Sequence, residues 1–160
     1  MESKTRAQVW WIFAGEDEPI ARELLGRAAV LEALGLVQNS ELTGKQLDLL
    51  GRLYDPDATT RPSAYVHAEV LARLEALRCI DVAVFLCSRA LLEGRAWRRV
   101  FTVVAENPTA RVVPVLLSAV ALPPELAALQ RLPRDGRPVM ARTGRDQAFL
   151  EVIQGLLETI

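Results

Sequence analysis

The run Val112-Val-Pro-Val-Leu-Leu117 carries β-prone apolar residues at consecutive rather than alternate positions. A strand open to water on one face alternates in polarity, so an unbroken apolar run of this length marks a strand covered on both faces. Two more runs of the same kind precede it, Val9-Trp-Trp-Ile-Phe13 and Ile80-Asp-Val-Ala-Val-Phe-Leu-Cys87. Between and after them, apolar residues recur at helical spacing. Ile20, Leu24, Ala28, Leu31 and Leu34 precede Gly35, a C-terminal stop. Val66, Val70, Leu74 and Leu77 lie within Ser63–Arg78, and Phe149, Val152, Ile153, Leu156 and Leu157 within Asp146–Ile160. Strands that alternate with helices pair in parallel through crossover connections.

The full order reads strand (9–13), helix (20–34), a weak strand at Leu36-Val37, and a less regular region. Helix (63–78), strand (80–87), helix (97–106), strand (110–117), a helical turn (125–130), a short strand at Pro138–Ala141 and a closing helix follow. Within the irregular region, Thr43–Leu53 carries Leu47, Leu50 and Leu53 on one face, and Asp55–Pro62 is a loop by its Pro, Asp and Thr content. The expected fold is α/β, a flavodoxin-like five-stranded parallel sheet of order 2-1-3-4-5 with helices on both faces. Its functional crevice then lies at the carboxyl ends of strands one and three, at Ala14-Gly15-Glu16 and Cys87-Ser88-Arg89. Trp10 and Trp11 point to opposite faces of the first strand. Covered on both sides, both belong to the core.

With 160 residues the chain is expected to be one domain, and it is large enough to bury roughly 70% of its unfolded surface without a metal or disulfide staple. A formal net charge of -1 argues against a nucleic-acid partner, which needs a basic face. Met1–Gln8 is polar, and no apolar stretch approaches the ~18 residues of a membrane span, so a cytoplasmic protein without membrane contact is expected. Cys79 and Cys87 sit in apolar surroundings and read as reduced, buried thiols, and a lone His67 supplies no metal site. Gly44-Lys45 is not a phosphate loop, because residue 39 is Asn and residue 46 is Gln. A phospho-receiver needs an Asp at the end of strand three, where Phe85-Leu-Cys-Ser88 has none.

Several segments together resemble a known family. Phe13-Ala-Gly-Glu-Asp-Glu18 leaves the first strand, and Cys79-Ile-Asp-Val-Ala-Val-Phe-Leu-Cys-Ser88 forms the third. Leu129-Gln-Arg-Leu-Pro-Arg-Asp-Gly-Arg-Pro-Val139, followed by Arg145-Asp-Gln-Ala-Phe-Leu150, is the most specific segment. From about residue 9 to 157 the chain resembles a bacterial Toll/interleukin-1 receptor (TIR) domain, with an insertion at about 41–62. Enzymatic members of that family cleave NAD at the nicotinamide–ribose bond. They use a glutamate on the helix after strand three, whose carboxylate holds the ribose hydroxyls and stabilises developing positive charge.

In Gly94-Arg-Ala-Trp-Arg-Arg-Val-Phe-Thr-Val103, Trp97 sets the register and Phe101 occupies the glutamate's position. A phenyl ring carries no charge and accepts no hydrogen bond. Val100 and Thr102 on either side carry no carboxylate either. Glu93 and Glu106 are the nearest substitutes, and both read as solvated helix-end charges. The resemblance therefore implies no catalytic residue and no cofactor. The expected function is homotypic or heterotypic association with TIR-like or defence-system partners, in bacterial signalling or anti-phage defence. Its surfaces are placed on the Gln38–Pro62 segment, with Asn39, Glu41 and Lys45, and on the helix carrying Arg95, Trp97 and Arg99. Two alternatives stay open: an NAD hydrolase with a displaced carboxylate, and a sensor that binds NAD or a related nucleotide without cleaving it through Gly15, Glu16 and Ser88.

Overall fold

A computed structural model describes residues 6–53, 64–141 and 144–160. The expected loop Asp55–Pro62 lies outside the described residues, as does the side chain of His67. Among the described residues the fold is an α/β sandwich around a parallel sheet of four strands, β1 (Ala7–Ile12), β2 (Val37–Leu42), β3 (Val82–Cys87) and β4 (Arg111–Leu116), in the order β2-β1-β3-β4. The helices are α1 (Glu18–Ala33), α2 (Gly44–Leu53), α3 (Ala64–Ala76), α4 (Arg89–Glu93), α5 (Ala96–Ala105), α6 (Pro124–Ala127) and α7 (Arg145–Thr159).

The two faces of the sheet bury separate cores. Val9, Trp11 and Phe13, with Val84 and Val115, pack against Leu24 and Ala28 of α1 and Phe149 and Val152 of α7. Trp10 and Ile12, with Phe85 and Cys87, pack against Leu47 and Leu50 of α2, Val70 and Leu74 of α3 and Trp97 and Val100 of α5. The adjacent tryptophans thus divide between the two layers, as strand geometry demands. Asp81 accepts the Gln8 N–H at 2.7 Å, which caps the entrance to β1.

Local chemistry sets the ends of the helices. Gly35 takes φ +76°, and the Leu36 N–H reaches the Leu31 carbonyl while the Gly35 N–H reaches that of Glu32. This Schellman arrangement absorbs the last carbonyls of α1. Thr43 and Gln46 form a reciprocal capping box at the start of α2. The Thr43 hydroxyl accepts the Gln46 N–H at 3.3 Å, and the Gln46 side chain accepts the Thr43 N–H at 3.0 Å.

Two expectations are corrected here. The segment Pro138–Ala141 is not a fifth strand. Val139–Ala141 forms a single 3-10 turn, tied to the sheet by the Met140 N–H on the Leu117 carbonyl. The edge of β4 instead receives Leu132, which bridges it by donating to the Pro114 carbonyl and accepting from the Leu116 N–H, both at 2.8 Å. Pro133 and Pro138 lack N–H donors and Gly136 turns at φ +77°, so the connector cannot sustain a ladder. The second correction concerns Gln38–Leu42. These residues are not loop but the outer part of β2, in register with Gln8–Ile12. Only Val37 and Leu42 are buried in this edge strand, which explains its polar sequence. No described helix is long and apolar enough to cross a membrane.

Candidate functional site

In the order β2-β1-β3-β4 the chain reverses its direction of travel between β1 and β3, and open α/β sheets form their crevice at the carboxyl ends of such strands. Three strand exits meet there. β1 leaves through Ala14 into a 3-10 turn, Gly15–Asp17. β2 leaves through Thr43 into α2, and β3 through Ser88 into α4. The junction Gly94-Arg95 between α4 and α5 closes the fourth side.

The result is an open cleft of about 480 Å³. It is lined by small residues, Ala14, Gly15, Gly44, Gly51, Ala90, Gly94 and Ala96, and by Leu47, Leu91 and Trp97. The lining is tight where two strand exits touch. A Cβ on Gly44 falls 2.2 Å from the Gly15 nitrogen and 2.3 Å from its Cα, so only glycine fits at the first position of α2. Gly51, two turns further along, faces Ala96 at the start of α5.

Three charged residues rim this cleft: Asp48 and Arg52 on α2 and Arg95 before α5. All three are exposed, and none forms an ion pair among the described residues. Among the described residues Arg22, Arg27, Arg78, Arg89, Arg98, Arg134 and Arg145 are ion-paired, whereas Arg6, Arg73, Arg111, Arg131 and Arg137 share the open state of Arg52 and Arg95. The first residues of α2 and α5 also line the cleft, so their unbonded N–H groups add positive potential. Chemically, the rim presents two guanidinium groups that suit an anion and one carboxylate that suits a hydroxyl or a cation.

Beside the cleft, Ser88 is buried and its hydroxyl serves two roles. It accepts the Leu91 N–H at 3.2 Å as the N-cap of α4, and it donates to Oδ2 of Asp17. Burial pushes the Asp17 carboxyl above the ordinary range, against the lowering effect of the Ser88 bond, and neighbouring Glu16 adds to the rise. Glu16 and Asp17 open onto a separate small depression of about 170 Å³ with Glu23, Met140 and Arg145.

The structure sorts the sequence-derived residues as follows. Gly15, Arg95 and Trp97 converge on the cleft, although sequence reasoning assigned them to different roles. Ser88 is buried beside it, and Glu16 lines the separate depression. Lys45 is exposed on the first turn of α2, and Arg99 is exposed on α5. Phe101 does not face the cleft. Its half-buried ring lies 6.3 Å from Phe85 and 6.4 Å from Trp97, and it lines a groove beside β4 with Val112 and Leu129. Glu93 pairs with Arg89 at 2.6 Å. Glu106 pairs with Arg78 at the far end of α5, where Asn107 donates to the Ile80 carbonyl ahead of β3. Ten helical residues, about 15 Å, separate that end from the cleft.

Asn39 and Glu41 are engaged within the chain. Asn39 accepts the indole N–H of Trp11 at 3.0 Å and donates to the Ala28 carbonyl at 3.2 Å. Glu41 takes both guanidinium nitrogens of Arg22, at 2.5 and 2.7 Å.

Sequence reasoning missed Asp48 and Arg52, which sit four residues apart within a segment read as insertion, and it missed the link from Asp17 to Ser88. An acid and a base on one turn of an amphipathic helix were the available signal. No cluster of His, Cys, Asp and Glu capable of holding a metal occurs among the described residues. No protein-family model, curated protein or solved structure matches the chain.

Proposed function

We propose that the chain is a TIR-like association module of bacterial signalling or defence that does not cleave NAD. On this reading it is a cytoplasmic protein whose sheet is a flavodoxin-like one with its fifth position reduced to the Leu132 bridge. The observation that carries the reading is the disposition of α5. Phe101 stands where the family resemblance requires a carboxylate, and its ring packs on Phe85 and Trp97. Glu106 is held by Arg78 at the far end of α5 from the cleft, and Glu93 is paired with Arg89 and is not among the residues lining it. A cleft without a carboxylate on this helix has nothing there to grip the ribose hydroxyls or to stabilise an oxocarbenium-like state. The test is nicotinamide release from NAD at high protein concentration under crowding. The expected result is no turnover, and turnover would overturn the reading.

A second reading has its own observation, Asp48, Arg52 and Arg95 around the same cleft, none of them ion-paired among the described residues. They favour a ligand with anionic groups and hydroxyls, bound with or without cleavage. Turnover abolished by Asp48→Asn assigns the displaced carboxylate to α2. Saturable heat with NAD or ADP-ribose in the absence of turnover assigns a non-cleaving nucleotide sensor. No heat at millimolar ligand rejects both.

A further inference from the structure

The sheet ends at β4, and the first half of that strand's outer edge is open. At the two ends of the strand, the Arg111 and Leu117 N–H groups donate to the Asp81 and Cys87 carbonyls on the β3 side. Backbone groups alternate in direction along a strand, so the even-numbered residues between them turn N–H and C=O outward. Leu132 takes two of these positions, the Pro114 carbonyl and the Leu116 N–H. Val112 is the third. Its N–H and C=O both point away from β3, and neither takes a partner among the described residues. A fifth strand would pair with them, but the connector supplies only the Leu132 bridge.

A groove of about 540 Å³ lies along this open half. It is lined by Phe101 of α5 in one helical layer, by Thr159 of α7 in the other, and by Val112, so it crosses the edge of the sheet. The two faces of that edge differ in chemistry. Val112 belongs with Phe101 and Leu129, half-buried apolar residues packed on the α5 side of the core. Arg111 is one residue away and therefore on the other face. It is exposed, and among the described residues lining the groove it is the only charged one. It forms no ion pair among the described residues. An adjoining depression of about 310 Å³ shares Arg111 and adds Arg6, and Asp81 there already accepts the Gln8 N–H.

We propose that this edge takes up an extended segment of a partner protein as an added antiparallel strand, in which an apolar residue is followed by an acidic one. An unpaired edge is a template for strand addition, where backbone bonds give affinity and alternate side chains give specificity. Antiparallel pairing lets one partner residue exchange both bonds with Val112. Residues directly opposite one another share a face, so that residue sets its side chain beside Val112, Phe101 and Leu129 and is apolar. The next residue lies opposite Arg111 on the other face, where a carboxylate matches the guanidinium. Pro114 has no N–H and Leu132 occupies the edge beyond it, so the added strand is short and the edge does not template open-ended stacking. In naming a surface and a partner class, the inference rests on the association reading. The groove shares no lining residue with the cleft.

The test titrates the full chain into a fluorescein-labelled peptide of about eight residues, alternating valine and glutamate, and follows anisotropy. Saturable binding with a Kd below about 1 mM is expected. Val112→Pro deletes the outward N–H and, like Pro114 two residues on, spares the bonds to β3. It should weaken binding by about fivefold or more with the circular dichroism spectrum unchanged. Arg111→Glu should weaken binding by about tenfold and take up the matching valine–lysine peptide instead, a reversal that misfolding cannot produce. Amide hydrogen exchange reads the edge without any variant. The Val112 N–H should exchange fast in the free chain and slowly with peptide, while that of Val113, which faces β3, is slow in both. No saturable binding, binding indifferent to both substitutions, or a Val112 amide already protected in the free chain each overturns the inference. Self-association that Val112→Pro abolishes and the peptide does not displace assigns the edge to a second copy and overturns it as well. The association reading is judged separately, by nicotinamide release, so the two failures are told apart.

Discussion

The hydroxyl of Ser88, at the end of β3, donates to the carboxylate of Asp17, two residues beyond Gly15 at the exit of β1. This bond ties the two loops that flank the topological switch point of the sheet, and it is made by an aspartate held above its ordinary proton affinity, chiefly by burial. The folded chain therefore carries more protons on Asp17 than the unfolded chain does, over an interval beginning near the reference value of 3.8. Stability from this group is highest below that interval and falls as pH rises through it. Asp17→Asn keeps an oxygen to accept from Ser88 and removes the charge. It should flatten the thermal stability profile across the acid limb and leave stability at pH 7 unchanged or slightly raised. A drop of several degrees at pH 7 would show that the ionised carboxylate is stabilising instead.

Gly15 and Gly44 touch backbone to backbone, but they do not tolerate substitution equally. A Cβ on Gly44 collides with the Gly15 nitrogen and Cα, whereas a Cβ on Gly15 meets only the Gly44 Cα at 3.9 Å. Gly44→Ala should cost about 2–3 kcal/mol, because the obstacle is backbone that moves only by shifting a loop. In a chain of this size that lowers the melting temperature by about 5–10 °C. Gly15→Ala should be close to neutral. Equal effects of the two changes in thermal denaturation would refute the contact.

The contrast between these glycines also marks how far the sequence alone could be read. β1, β3, α1 and α7 were legible because each buries enough apolar residues for spacing to declare the period. β2 was legible only at Val37, since an edge strand that buries just its two ends shows no alternation in between. Helix α4 has five residues and its main signal, Ser88 as N-cap, was read as a strand end. At the cleft, Gly15 and Trp97 were identifiable singly. Their meeting with Asp48 and Arg52 depends on α2 packing against the start of α5, where Gly51 faces Ala96. Such a contact between segments about 45 residues apart leaves no local pattern in either.

Asn39 joins β2 to the inner layer by accepting from the Trp11 indole and donating to the Ala28 carbonyl. Asn39→Ala removes both bonds and leaves a buried indole N–H without its acceptor, which should cost about 2 kcal/mol in urea denaturation. Trp11→Phe removes the indole N–H from the other side. The double variant should then be less destabilised than the sum of the two, with a coupling of about 1 kcal/mol. Strict additivity would place the role of Asn39 outside the fold, on a surface met by a partner.

The two cysteines differ in environment rather than in chemistry. Cys87 is fully buried, its Sγ lies 3.4 Å from the Phe85 carbonyl, and burial pushes its thiol up to about 12. At pH 8 its thiolate fraction is on the order of one part in ten thousand, and reagent has no path to it. Cys79, expected from the sequence to be buried, is instead exposed on the turn before β3, and it forms no disulfide. Titration of the native chain with a disulfide reagent at pH 8 should therefore consume one equivalent rapidly, all of it at Cys79, and two in denaturant. Cys79→Ser should abolish the rapid phase. A second fast equivalent in the folded chain would mean that the core layer between β3 and α5 opens far more readily than its packing implies.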